Sequence, residues 1–289
     1  MLFQLLLNGL VRGTMYGIIA VGFSLVYNTT RIFHIAYAGL YIIPAYLLYT
    51  LHIDFGFSIV FSVAVSILAT LLLSILIELI IYRPLIKKES SLNVLMVTSI
   101  GVMIVLVNLI ALIYGNELRV LNPDITRSIT IGLLRITNTQ IIQVLVSCFG
   151  LLGFLSFLQR SNLGIRMRAL RDDRELFAIL GEKVQKLRFY VFGLSGIFLA
   201  IGSILVSYDV GIDPYAGLPM LMNAVVALII GGIGNFQAPI LGGMIIGILQ
   251  ALSVWVFSSR WEDAVTFTLL ILFLLFKPNG LLGQRERRA

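Results

Sequence analysis

The sequence predicts an all-α protein that crosses a membrane about nine times, within a range of eight to ten segments. Hydrophobic side chains make up 59% of its 289 residues and charged side chains only 12%, whereas a soluble domain carries about 25% charge. Several apolar runs reach the roughly 20 residues that a helix needs to cross the hydrocarbon core of a bilayer. None of these runs alternates in polarity as a membrane strand would. The predicted fold class is therefore a polytopic α-helical membrane protein.

Nine apolar runs are the candidate membrane segments. The first has no positive residue ahead of its apolar part, contains Arg12 and lacks an A-x-A cleavage signal, so it is predicted to be a retained helix rather than a signal peptide. The nine runs cover residues 3–27, 32–51, 57–82, 92–114, 139–159, 189–208, 218–235, 238–258 and 264–281.

Positive charge between these runs predicts their orientation. Residues 83–91 are basic, residues 160–188 hold eight Lys or Arg, and the tail from Lys277 holds four. Cytoplasmic connections of membrane proteins are enriched in Lys and Arg, so these three, including the C-terminus, are predicted to be cytoplasmic. The net charge of +7 is explained by this orientation, and no nucleic acid partner is predicted.

The connection 115–138 then falls on the extracytoplasmic side. It carries three Arg against two acids, which is a mild conflict with that assignment. Its portion TRSITIGLLRIT, residues 126–137, is rich in β-branched residues and predicts a short strand pair or hairpin.

The tetrapeptide YAGL occurs twice, at residues 37–40 and 215–218. The predicted topology makes the runs that follow the two copies antiparallel. Many transporters build a solute site from inverted repeats whose interrupted helices meet near the midplane, and Pro44 is expected to interrupt the first copy's helix. The alternative is chance identity in an apolar sequence of low complexity.

Small and polar residues inside the apolar runs are the other informative feature. Glycines in GxxxG steps at 9, 13 and 17 and at 243 and 247 predict close helix packing. Polar groups cost free energy in the membrane unless they are paired or face water. Asn223 and Gln250 lie far from the ends of their runs and are the preferred candidates to line a path, whereas Glu78 is expected to pair with Arg83.

No catalytic, metal or cofactor site is predicted. The chain has no HExxH motif, no cluster of Cys or His, and its acids stand mostly at the ends of the apolar runs. A zinc site would need three or four such ligands together.

The longest polar stretch, residues 160–188, predicts a short cytoplasmic helix. It begins after Asp172 and Asp173 and ends at Gly181, a residue that readily adopts the left-handed conformation that ends helices. Apolar residues, among them Leu180, alternate with charged ones along it. Such a helix can lie on a lipid surface or dock in a groove of a partner protein.

Four stretches together resemble a known family. They are NGLVRGTMYGIIAVGFSLVYNTTRIFHIAYAGLY, LGIRMRALRDDRELFAILGEKV, AVVALIIGGIGNFQAPILGGMIIGILQAL and FKPNGLLG, in the family's order and across nearly the whole chain. The chain is similar to the shorter permease partner of the branched-chain amino-acid (leucine, isoleucine and valine) ABC transporters. The resemblance implies a single permease domain, residues 1–289, in a bacterial inner membrane, and a transport subunit rather than an enzyme.

The resemblance also implies partner chains. These are two ATP-binding subunits, a second related permease or a second copy of this chain, and an extracytoplasmic solute-binding protein. The chain itself has no G-x-x-x-x-G-K-[ST] phosphate loop. By similarity, residues 160–188 form the segment that couples to the ATPase, and the predicted coupling residues are Arg168, Asp172, Asp173, Glu175, Leu180 and Gly181.

The sequence departs from the family's usual pattern at interior positions. Family members commonly read close to NFAHGDL where this chain has HIAYAGL, and they tend to carry Lys at Asn223 and Glu at Gln250. The predicted translocation path consists of Tyr37, Gly39, Asn223 and Gln250, and its solute is a branched-chain amino acid or a related small molecule. The alternatives are a stand-alone secondary transporter or channel, which should show buried carboxylates near the midplane, and a membrane scaffold without transport activity.

Overall fold

The computed structural model describes residues 2–121, 128–131 and 134–283. These residues form the helices α1 (Leu2–Thr30), α2 (Ala36–Tyr49), α3 (Ile59–Ile77), α4 (Arg83–Lys87), α5 (Leu92–Tyr114), α6 (Asn138–Arg160), α7 (Asn162–Asp172), α8 (Arg174–Ile179), α9 (Val184–Val210), α10 (Gly217–Gly231), α11 (Ala238–Val256) and α12 (Glu262–Phe276). Two π-helical segments, Thr50–Asp54 and Glu78–Tyr82, continue α2 and α3, and Ser259–Trp261 is a 3₁₀ turn.

The predicted fold class is confirmed, but the count of nine spans is not. Seven helices in the described part of the chain are long and apolar enough to cross a membrane: Leu2–Thr30, Ala36–Asp54, Ile59–Lys87, Leu92–Tyr114, Asn138–Arg160, Val184–Val210 and Ala238–Val256. The predicted spans 218–235 and 264–281 correspond to α10 and α12, which have 15 residues each. At 1.5 Å per residue, each is about 22 Å long and shorter than a hydrocarbon core of about 30 Å.

The predicted hairpin in the connection 115–138 is present. Strand β1 (Ser128–Ile131) pairs antiparallel with β2 (Leu134–Thr137), and Ser128 stands opposite Thr137. The residues that join the two strands, and residues 122–127 before them, lie outside the described part of the chain.

The chain divides into two compact units. The first comprises Met1–Val21, Asn122–Leu152 and Pro219–Ala289, and the second comprises Gly22–Leu121 and Gly153–Leu218.

In the first unit, the glycines of α1 pack directly against those of α11. A β-carbon built on Gly13 would lie 2.7 Å from the α-carbon of Met244, and one built on Gly243 would lie 2.7 Å from the α-carbon of Gly17. A β-carbon on Gly247 would overlap the backbone of Gly13. The predicted GxxxG steps are therefore the contact between these two helices, where missing side chains let the backbones approach.

In the second unit, α2 packs against α3, α5 and α9, and α3 packs against α9. A stripe of small hydroxyl residues on α3, spaced four apart, faces inward: Ser62, Ser66, Thr70 and Ser74 are all buried. The hydroxyl of Ser74 donates to the carbonyl of Phe192 in α9 at 2.8 Å. Leu68 and Leu72 on α3 are about half exposed. Small residues inside and leucines outside are the pattern of a helix packed in lipid.

Pro44 does not interrupt α2, contrary to the sequence prediction. The helix runs from Ala36 to Tyr49 with Pro44 inside it. Proline is tolerated in membrane helices when neighbouring groups bond the backbone that it leaves open. Pro44 leaves the carbonyl of Leu40 without its usual helical donor, and in the same turn the hydroxyl of Ser203 donates to the carbonyl of Tyr41 at 2.5 Å.

Candidate functional site

The two YAGL copies contact each other within the second unit. A β-carbon on Gly217, in the second copy, would overlap the carbonyl oxygen of Ala38 in the first. The tyrosines differ: Tyr37 is buried, whereas Tyr215 is exposed and its hydroxyl donates to Asn116 Oδ1 at 3.4 Å. Tyr37 is therefore a packed residue inside the second unit. The repeat marks a helix contact at which Gly217 permits the close approach.

Tyr37 and Gly39 both occupy packed positions at the start of α2. The Tyr37 ring meets Phe23 edge to face, with ring centroids 5.7 Å apart. A β-carbon on Gly39 would lie 2.9 Å from the β-carbon of Leu106 in α5. Gly39, where the family commonly has an acid, therefore lets α5 approach α2.

In the first unit, Asn223 and Gln250 meet in a buried polar cluster. Gln250 Nε2 donates to Asn223 Oδ1 at 3.2 Å and to Thr266 Oγ1 at 2.8 Å. This cluster joins α10, α11 and α12. Both amide side chains are buried, and Gln250 Oε1 has no hydrogen-bond partner among the described residues. The cluster is uncharged and presents an open acceptor. Thr266 was not predicted. A threonine hydroxyl in a helix often donates to a carbonyl in the preceding turn, and Thr266 makes such a bond to the Glu262 carbonyl, so nothing in the sequence indicated a second partner.

A buried ion pair in the second unit was also missed. The Arg188 guanidinium donates from Nε and Nη2 to the two carboxylate oxygens of Glu78, at 2.7 and 2.9 Å. The prediction that Glu78 pairs with Arg83 is therefore wrong, and Arg83 instead donates to Gln185 Oε1 at 3.1 Å. Sequence spacing favoured the neighbour on the same helix. The true partner is 110 positions away.

A chain of buried hydrogen bonds holds the start of α2. The Tyr82 hydroxyl donates to Ser99 Oγ at 2.7 Å, and this oxygen also accepts from the Ala36 amide at 2.7 Å. Since the single hydroxyl proton of Tyr82 points to Ser99, its oxygen accepts from His34 Nδ1, which lies 2.8 Å away. The hydrogen-bond network thus assigns His34 the tautomer protonated at Nδ1. These bonds tie the first YAGL copy to the π-helical segment Glu78–Tyr82 and to α5.

The segment 160–188 begins its short helix as predicted. Asp173 Oδ1 accepts from the Leu176 amide at 2.8 Å and caps α8. Gly181 has a left-handed φ of +79° just after the helix. Leu180 is 71% exposed and Ile179 is 81% exposed. The segment thus presents an uncovered apolar surface.

The remaining predicted coupling residues surround α8. Arg171 and Asp172 form an ion pair, and the buried Arg168 Nε has no hydrogen-bond partner among the described residues. The side chain of Glu175 lies outside the part that the structure describes. Across the described ranges, no group of three or more His, Cys, Asp or Glu side chains lies together.

The chain is similar to known proteins over nearly its whole length. The family model described as "Branched-chain amino acid transport system / permease component" matches residues 5–274. The chain is 29% identical to the high-affinity branched-chain amino acid transport system permease protein LivH of Escherichia coli (strain K12), over 98% of this chain and 96% of that protein. It is also 29% identical to the corresponding protein BraD of Pseudomonas aeruginosa, with the same coverage.

The probable LivH of Methanocaldococcus jannaschii is 23% identical over 97% of this chain and 92% of its own length. Among solved structures, PsaBC from Streptococcus pneumoniae in complex with Fab is similar in fold, with a TM-score of 0.52 and 14% identity. The similarity covers 94% of this chain and 91% of the PsaBC chain.

Proposed function

Because the chain belongs to the family of permease components of branched-chain amino acid transport systems, we propose that it forms part of the membrane path of an ABC importer for branched-chain amino acids or a related small solute. Family membership confirms the predicted permease role over a stand-alone carrier or channel, and it confirms a transport subunit rather than an enzyme. A permease component is one part of a larger system, so the chain works with partner chains.

We propose that the partners are two ATP-binding subunits, a second permease and an extracytoplasmic binding protein. The second permease is either a related chain or another copy of this one. ATP binding on other chains is supported by the lack of a phosphate loop in this sequence. The basic connections support a cytoplasmic C-terminus, and the bacterial permease relatives support a location in a bacterial inner membrane.

The proposed path is carried by one observation, the open acceptor at Gln250 Oε1. A buried carbonyl oxygen without a partner costs about 1–3 kcal/mol. An ammonium group supplies three N–H donors, so a passing amino acid can satisfy this oxygen without meeting a fixed charge. Asn223 positions Gln250 through the bond between their amides. The assignment of Tyr37 and Gly39 to the path is supported by the sequence pattern alone, because both residues pack against neighbouring helices of the second unit.

Thiol labelling tests the path. Single cysteines are placed at Tyr37, Asn223 and Gln250 in a background lacking Cys148, and a small water-soluble reagent is applied with and without ATP turnover of the complete transporter. Ala251 is the matched control, because it is buried on α11 beside Gln250 but faces Gly9 of α1. We expect labelling at 223 and 250 that depends on turnover, and none at 251. Absence of labelling at both, together with unchanged leucine uptake after Gln250→Leu, would overturn the assignment.

We propose that α8 docks on an ATP-binding subunit through its uncovered apolar residues. Ile179 and Leu180 are exposed beside charged residues of both signs, and a groove in a protein surface can match the acids as well as the apolar and basic residues. Leu180→Asp should abolish solute-stimulated ATP hydrolysis, and Leu180→Met should retain it. Co-purification from the native membrane should yield two ATP-binding chains and a second permease chain. Normal coupling in Leu180→Asp, or a chain that purifies alone and transports, contradicts this proposal.

A further inference from the structure

A basic cavity of about 650 Å³ lies in the second unit, where the end of the helix Ile59–Lys87 meets the beginning of α9. This volume is within the range of small-molecule sites. Its walls include Leu79, Arg83, Lys183, Lys186, Phe189 and Tyr190. None of these residues belongs to the proposed path or to the six predicted coupling residues, although Lys183 and Lys186 lie at the end of the segment 160–188.

The charge of the cavity is of one sign. Three of its lining residues are cations and none is acidic. The two nearby carboxylates are occupied elsewhere: Glu78 is bound to Arg188, and Glu182 lies 3.2 Å from Arg166. Arg83 uses one nitrogen for Gln185, and its buried Nε has no partner among the described residues.

The beginning of α9 adds to this positive field. Lys183 stands at the N-cap without a side-chain hydrogen bond to the helix, and the first turn carries no acid. The amino end of a helix carries about half a positive charge. An anion in the cavity would therefore meet both the lysines and the helix end.

Leu79, Val184 and two partly exposed aromatic residues form most of the remaining wall, together with Gln185. Phe189 is 38% exposed and Tyr190 is 47% exposed. On the neighbouring helix, Leu76 and Ile80 are exposed on either side of Leu79. Aromatic residues with a polar tip are typical of the membrane interface, and basic pockets between membrane helices bind anionic headgroups. The cavity thus joins a cationic wall to an apolar surface.

We propose that this cavity binds the phosphate headgroup of an anionic phospholipid, with the acyl chains along Leu79 and Phe189. This inference does not depend on the proposed solute or partners. The exposed apolar residues of α8 lie outside the walls of the cavity, so the proposed protein contact and the lipid occupy different surfaces.

Binding of phosphatidylglycerol and phosphatidylcholine to the full-length chain in detergent micelles, measured by native mass spectrometry, tests this site. The variant Lys183→Gln/Lys186→Gln should weaken phosphatidylglycerol binding roughly fivefold for each lysine removed, from about 1 kcal/mol per basic residue. The matched control is Lys87→Gln/Lys88→Gln, which removes the same charge from two exposed lysines nearby that do not line the cavity. The control should change binding less than twofold, and Lys183→Arg/Lys186→Arg should retain it.

Further measurements distinguish a lipid headgroup from free inorganic phosphate as the ligand of the cavity. Inorganic phosphate at millimolar concentration should not displace the lipid, because it lacks the acyl contact. The proposal is overturned if phosphatidylcholine binds as well as phosphatidylglycerol, if both lysine pairs have equal effects, or if inorganic phosphate displaces the lipid. It is also overturned if the cavity variant keeps its lipid preference in micelles and, when co-purified from the native membrane, instead loses the ATP-binding chains. Monodisperse elution of each variant shows that a loss of binding is not a loss of fold.

Discussion

The ion pair between Glu78 and Arg188 should show strong coupling in a double-mutant cycle. The side chains are 4% and 5% exposed and meet through two hydrogen bonds of 2.9 and 2.7 Å. The first variant, Arg188→Met, removes the cation. The second, Glu78→Met, removes the carboxylate, and the third removes both.

The size of the effect follows from burial. Removing one partner leaves the other charge buried and uncompensated, which costs about 3–5 kcal/mol. Removing both leaves no stranded charge, and hydrophobic replacement of a whole buried pair is often neutral or stabilising. Glu78→Met/Arg188→Met should therefore be more stable than either single variant. With about 3–5 kcal/mol lost in each single variant and little lost in the double, the coupling free energy is about 6–10 kcal/mol.

The assay is equilibrium unfolding in mixed detergent micelles, followed by helical circular dichroism. The control pair is Arg166 and Glu182, whose side chains are 52% and 37% exposed. Solvent screens such a pair, so Glu182→Gln should cost at most about 1 kcal/mol. If the losses of the two Met variants at 78 and 188 simply add in the double variant, the buried pair contributes no coupling and the reasoning from burial is wrong.

Three further predictions concern packing, capping and polarity. Gly247→Leu should lower stability by at least about 3 kcal/mol, because the new side chain meets backbone that cannot move aside; Gly101→Leu, where nothing lies within 4 Å, should unfold like the parent in the same assay. Asp173→Ala should cost about 1 kcal/mol of local helix stability through loss of the cap, seen as faster amide exchange in α8, and unchanged exchange would contradict the cap. Asn223→Lys and Gln250→Glu should each impair uptake, because each buries an unpaired charge, whereas the double variant should recover much of the uptake, because the new Lys and Glu are in direct contact. A double variant no better than either single one would show that the contact does not govern transport.

The helical class was predictable because apolar runs of membrane length have few alternatives in lipid. The hairpin β1–β2 was predictable from its β-branched residues. The ends of the helices were less predictable. The predicted span 189–208 is the helix Val184–Val210, because hydropathy follows the lipid boundary whereas the helical hydrogen bonds continue beyond it. The four-residue stripe of hydroxyl side chains on α3 was visible at helical spacing and was overlooked.

The candidate site was predictable only in part. Asn223 and Gln250 were chosen because polar side chains far from span ends need a reason to be there, and the structure does bring them together. Their bond to Thr266 and the bond of Glu78 to Arg188 join different helices. A single sequence reports neighbours on one helix through their spacing, but it carries no comparable signal for partners on separate helices.

The π-helical segment Glu78–Tyr82 connects the proposed coupling region to the first YAGL copy within the second unit. At one end Glu78 holds Arg188 in the second turn of α9, the helix that follows α8. At the other end Tyr82 holds His34, just before α2 begins. A shift of α9 must therefore either carry the segment with it or break a buried ion pair at about 3–5 kcal/mol. Because the buried pair opposes separation, a displacement at the start of α9 is expected to reach α2 through side chains that are already bonded in this structure.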